Sequence, residues 1–291
     1  MPGEIDPPLP EPFPELGSLT RGRFTYFPVV PGRLEFAVEV RQAILRDRPD
    51  VIAVELPATL QPAWTRAVER LPQISVIVYP DESPQGDQAV YVPIEPADPF
   101  TEAIRTGIEL GAGIVFADPD AGHRPHLKDA YPDTYAIRHV GMARYIEAYR
   151  VWPQPRSDEL ARHAAGIAWK LQGADPTARV LVVISLNLLD PVLDAMEEPQ
   201  AEPMARRRRE GIELLNPHPE SLAEIVLEYP ALQWRYENFR PLLTDANLRS
   251  ELGRRGRDYV ERHFQWPVLI ARYEQFLTRV AERGRGVPGL F

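Results

Sequence analysis

The chain has 291 residues, enough for one large α/β domain or a domain with an appendage. Lys and Arg total 33 against 42 Asp and Glu, a net charge of −9, which argues against nonspecific contact with nucleic acid or an anionic membrane surface. Cysteine is absent, which removes disulfides, thiolate nucleophiles and zinc–thiolate sites together.

Residues 1–20 repeat Pro-Pro, Pro-Glu-Pro and Pro-Glu, so an extended arm is expected there. Such an arm can meet a protein partner. It has neither a basic n-region nor an apolar h-region, and is not read as a signal peptide. The longest apolar run, around Val180, is too short to span a bilayer. A soluble, cytoplasmic protein is expected, and the excess of Arg over Lys with 32 prolines suggests a GC-rich bacterial genome.

Residues 24–29 form a first strand, Pro31-Gly32 a turn, and a helix follows with Phe36, Val40, Ala43 and Ile44 at helical spacing. Arg48-Pro49-Asp50 leads into the strand Val51-Ile52-Ala53-Val54-Glu55. A helix with Trp64, Ala67, Val68 and Leu71 inward precedes the strand at 74–79, a polar loop at 81–88 and a short strand at 90–94. Asp98-Pro99 reads as an N-cap with proline at the first helical position, and Gly111 as a C-cap.

The strand Gly113-Ile114-Val115-Phe116-Ala117-Asp118 comes next, then a loop over 118–134 of a length that usually carries function. Helices at 134–150 and 158–172 precede the strongest strand, Val180-Leu181-Val182-Val183-Ile184-Ser185-Leu186-Asn187. Asp190-Pro191 opens a short helix, residues 197–211 read as charged and exposed, and 219–228 as helix. Beyond Pro230 only helices are expected, over 242–263 and 267–283.

Continuous Val/Ile/Leu runs are the mark of strands buried on both faces, and their alternation with helices predicts a mostly parallel open sheet covered by helices. The expected domains are an arm at 1–20, an α/β domain at 21–240 and a helical C-terminal appendage at 241–291. Ligands of such sheets bind beyond the carboxyl ends of the strands. That rule selects Glu55 and Asp118 as candidate catalytic carboxylates, with Asp120, Asn187 and Arg144 as ligand-binding residues.

Each has a plainer reading. Glu55 can cap a helix or pair with an arginine, and Asp118 and Asp120 can serve a turn in Asp-Pro-Asp. Asn187, among leucines, can be a satisfied core amide, and Arg144 can be solvated like Arg138 and Arg150 on the same helix. His123 and His126, in Gly-His-Arg-Pro-His, lack the helical spacing of zincins, so no metal site is expected. The run Arg206-Arg207-Arg208-Arg209 reads as a solvated face. No Gly-x-Gly-x-x-Gly, P-loop or Gly-x-Ser-x-Gly occurs, and no cofactor is named by the residues; a small-molecule ligand is the expected partner.

Residues 24–237 resemble the superfamily of erythromycin esterases, ChaN-type haem-binding proteins and TraB/Tiki proteins. The likeness lies in Phe27-Pro28-Val29-Val30-Pro31-Gly32, in Arg48-Pro49-Asp50-Val51-Ile52-Ala53-Val54-Glu55, in the strand ending at Asp118 and in residues 179–189. Active members carry a histidine after the first strand and another after the late strand, where this chain has Pro-Val-Val-Pro-Gly and Ser185-Leu186-Asn187. The resemblance therefore implies a scaffold without His-based metal chemistry, kept for binding or for a hydrolase-like reaction through Glu55 and Asp118.

A second likeness is local. Leu243-Thr244-Asp245-Ala246-Asn247-Leu248-Arg249-Ser250-Glu251-Leu252-Gly253, continuing to Phe264-Gln265-Trp266, is similar to the closing helices of glycosyltransferases built from two Rossmann-like domains. The Glu-x7-Glu element and basic diphosphate-binding residues of those enzymes are missing from residues 190–215. The alternatives are thus a nucleotide-sugar transferase or a non-enzymatic interaction module.

Overall fold

The computed structural model describes residues 19–80, 89–120, 130–152, 156–204, 209–244 and 246–263, with 125, 127, 270 and 273–278. The arm at 1–18, His123, His126 and residues 205–208 lie outside the described residues. The chain divides into two compact units, Met1–Asn238 and Phe239–Phe291.

The first unit is α/β. Its main sheet joins β1 (Thr20–Arg21), β2 (Phe24–Val29), β3 (Val51–Pro57), β6 (Gly113–Asp118) and β7 (Val180–Ser185) in the order β1-β2-β7-β3-β6. β2, β7, β3 and β6 are parallel, and only the two-residue β1 runs against its neighbour. The apolar runs of the sequence are these strands, and β7 is buried along its whole length.

One part of the sheet was expected differently. β4 (Ser75–Pro80) and β5 (Ala89–Ile94) do not join the parallel sheet but form a separate antiparallel one with β8 (Glu213–Leu215), in the order β5-β4-β8. The reason lies in the connection, since the loop at 81–88 is too short for a parallel crossover, which takes a dozen or more residues. β8 has only the three residues Glu-Leu-Leu, too few for a strand pattern to be read, and among the described residues it pairs with β4.

Residues 270 and 273–278 are helical, and nine further α-helices are delimited among the described residues. They are α1 (Leu34–Asp47), α2 (Gln61–Val68), α3 (Pro99–Leu110), α4 (Ile137–Arg150), α5 (Asp158–Gln172), α6 (Leu186–Ala195), α7 (Pro219–Ile225), α8 (Pro230–Phe239) and α9 (Ala246–His263). None is long and apolar enough to cross a membrane. The caps read from the sequence are present: Asp98 accepts from Thr101 N–H at 2.8 Å, and Gly111 ends α3 at a φ of 71°. In contrast, α6 starts directly after β7 and carries Pro191 inside, rather than starting at Asp190. Proline there withholds the N–H that would have bonded the Asn187 carbonyl.

In a right-handed crossover the direction of travel decides which face the helix covers. β2 to β3 and β3 to β6 run one way across the sheet, and β6 to β7 runs back. Accordingly α1 and α3 pack together on one face, and α5 and α6 pack together elsewhere, touching β6, β2 and β7. Gly107 allows α3 its close approach, since a Cβ there would overlap Ile114 and lie 2.8 Å from Ile52 Cδ1.

α1 and α3 are also joined by a buried ion pair. Arg41, 3% exposed, donates to Glu102 Oε1 and Thr106 Oγ1 at 2.9 Å each, and Glu109 lies 3.1 Å away. Removing one partner of such a pair leaves a buried charge uncompensated. Arg41→Ala, which takes the arginine from the fully buried Glu102, should therefore cost about 3–5 kcal/mol in urea unfolding. A loss below about 1 kcal/mol would mean the pair contributes like a surface one.

Candidate functional site

Parallel pairing brings the strand ends level at one edge. Val29 lies opposite Ser185, and Val183 pairs with Val54, which pairs with Phe116. The chain leaves β2 toward α1 and leaves β7 toward α6, so β7 sits where neighbouring strands send their connections apart. Such a switch point opens the crevice in which α/β sheets bind ligands.

Glu55 follows the last regular pair of β3, where the register with β6 shifts between Val54 and Pro57. Its side chain is 1% exposed, and Oε2 accepts the Ser185 backbone N–H at 2.8 Å. The carboxylate thus sits at the amino end of α6, where a negative charge is stabilised by the helix dipole. Helix capping, the plainer reading of Glu55, describes this hydrogen bond.

Ser185 is the N-cap residue of α6, yet its side chain makes no capping hydrogen bond. It is 3% exposed, and Oγ has no hydrogen-bond partner. Asn187 lies in the first turn of α6, beyond the strand it was expected to end, and its Oδ1 is also buried and unpartnered. Buried polar atoms of native proteins are nearly always paired, and each orphan costs about 1–3 kcal/mol. Two of them in one helical turn, beside a buried carboxylate, make this the most distinctive polar feature of the edge. Ser185 was passed over in the sequence because a serine within an apolar run has no motif around it.

Asp118 and Asp120 serve the loop after β6. Asp118 Oδ1 accepts the Asp120 N–H at 2.7 Å, closing a tight turn in which Asp120 has a φ of 57°. Asp120, 4% exposed, accepts a short hydrogen bond from Thr59 Oγ1 and a bidentate pair from Arg209, at 2.6 Å from Nε and 2.7 Å from Nη2. The Arg209 guanidinium also lies 4.6 Å from the centroid of the Tyr79 ring. Arg209 is therefore a partly buried partner rather than part of a solvated face, because a carboxylate and a ring face lie against it. Arg144 is exposed on α4, and no hydrogen bond ties it to this cluster.

A second carboxylate group is built on the same rule of strand ends. Glu95 directly follows β5, is 2% exposed, and accepts the N–H groups of Leu227 (2.7 Å) and Glu228 (3.2 Å) and a short bond from Gln233 Nε2. Asp98 accepts the Gly32 N–H at 2.9 Å, just ahead of α1. Leu227 packs against Gly32 so closely that a Cβ there would meet its side chain. The position of Glu95 after an apolar run was a readable signal.

The amino ends of α1, α3 and α6 are thus each met by one of the chain's own carboxylates. Among the described residues no group of three His, Asp or Glu side chains could hold a metal ion. Comparisons with protein families, curated proteins and solved structures found no match for this chain.

Burial pushes the Glu95 carboxyl up to about 7 against its three N–H donors, and pushes Glu39 up to about 7 against Arg138 and Arg46. Burial raises Asp98 as well. A raised folded value means a proton held more tightly in the fold than in the unfolded chain. The contribution is complete below the ordinary carboxyl range and is lost as pH rises through about 7. Thermal unfolding should therefore show stability falling between pH 5 and 8, by roughly 1–3 kcal/mol for each of Glu95 and Glu39. A stability that rises over that interval would show these carboxylates ionised in the fold.

Proposed function

We propose that this chain is a small-molecule-binding α/β protein of hydrolase-like type, whose ligand seats at the carboxyl edge of the sheet against Ser185 and Asn187. The pair of orphaned polar atoms in the first turn of α6 carries this reading. Ser185 Oγ can donate and accept, and Asn187 Oδ1 accepts, so the matching ligand brings at least one N–H or O–H donor. A reaction at this site would use Glu55 as general base and Asn187 to orient the substrate. Asp118 and Asp120 hold the turn that follows β6.

Charge narrows the ligand further. A diphosphate binds at the amino end of a helix through free N–H groups and a positive dipole. Here carboxylates already stand at those ends: Glu55 at α6, and Asp98 at α3 and beside α1. They already take up N–H groups that a phosphate would need, which counts against a nucleotide-sugar transferase and favours a neutral polar metabolite.

A thermal-shift screen of neutral polar metabolites, with nucleotide sugars, haem and divalent metals as comparators, tests this reading. A ligand at about 100 times its Kd adds roughly 2.7 kcal/mol and raises Tm by several degrees. Ser185→Ala removes a hydroxyl with no partner, so the free protein should change by less than about 1 kcal/mol while the ligand-induced shift disappears. Glu55→Gln should weaken the same shift. A hit with a nucleoside diphosphate sugar would replace this reading with the transferase, and a flat screen would leave the interaction module.

A further inference from the structure

A second recess lies away from the strand ends, between the end of α4, the exposed side of α5 and the second half of α6. It is a groove of about 860 Å³, within the size range of small-molecule sites. Small side chains create it. Ala161 and Ala165 are four residues apart on one face of α5, and Ala195 faces the groove from α6. With Leu160 and Pro191 they make an apolar floor.

The rim is charged. Arg150, at the end of α4, is committed to Asp190 of α6 through a two-pronged ion pair with Nε at 3.0 Å. Arg156 and Arg162 are exposed and also line the groove, against the single further carboxylate of Asp194. The local balance is therefore positive, in a chain whose net charge is −9. An apolar floor rewards burial of hydrocarbon, at about 25 cal/mol per Å². A guanidinium at its mouth matches a carboxylate with two parallel hydrogen bonds.

We propose that this groove binds an amphiphilic monocarboxylate, with its hydrocarbon body on Ala161, Ala165 and Ala195 and its carboxylate between Arg156 and Arg162. The site is separate from that at Ser185 and stands independently of it. α6 belongs to both, with its first turn at the strand edge and its second half in the groove.

Isothermal titration of the full chain with decanoate, below its aggregation threshold, tests the proposal, with decanol as the uncharged counterpart. Decanoate should bind one to one and at least tenfold more tightly than decanol. Arg156→Glu with Arg162→Glu, on exposed positions, should weaken decanoate at least tenfold and leave decanol unchanged. Ala165→Trp, filling the floor, should abolish binding of both while Tm stays within a few degrees. Should that variant not fold, the charge reversal alone decides. Ser185→Ala should leave decanoate binding intact. Absence of saturable binding, equal affinity for decanol, insensitivity to the charge reversal, or loss of binding in Ser185→Ala would each overturn the proposal.

Discussion

The arrangement rests on how backbone N–H groups are satisfied where strands give way to helices. In a parallel sheet each helix begins at the edge where strands end, so several sets of unpaired N–H groups collect on one side. This chain meets them with its own carboxylates. Glu55 reaches from β3 to the head of α6, Asp98 serves α3 and the turn before α1, and Glu95 holds residues 227 and 228. Apart from the local cap of Asp98 on Thr101, each bond joins segments distant in sequence, so the strand ends are tied together by hydrogen bonds as well as by the core beneath them.

That solution has a chemical consequence. The positive ends that many α/β proteins offer to phosphates are here occupied from within. What is left over is neutral and polar: a serine hydroxyl and an asparagine carbonyl with no partner, at the point where the chain leaves β7 in the opposite sense from its neighbours. The carboxylates lend shape to the edge, and the two orphaned atoms are what the proposed ligand would meet. Asp120 illustrates the division, since Arg209 and Thr59 take up its carboxylate oxygens and the Tyr79 ring packs against Arg209.

The sequence by itself determined the parallel strands, because burial on both faces demands the unbroken apolar runs of β3, β6 and β7, and it determined the helix limits where Asp98-Pro99 and Gly111 have purely local reasons to stand. It also marked Glu55, Asp118 and Asp120 as strand-end carboxylates, since a charge after such a run must find a partner. Only the tertiary structure decided what those partners are. Arg209 meets Asp120 across 89 residues, and Ser185 meets Glu55 across 130, and no local pattern encodes such pairings. The same holds for β8, a three-residue strand too short to read from its own pattern that pairs with the edge of β4, and for the orphaned atoms of Ser185 and Asn187. Helical or extended state follows from neighbours along the chain, whereas a missing hydrogen-bond partner is a property of everything folded around the atom.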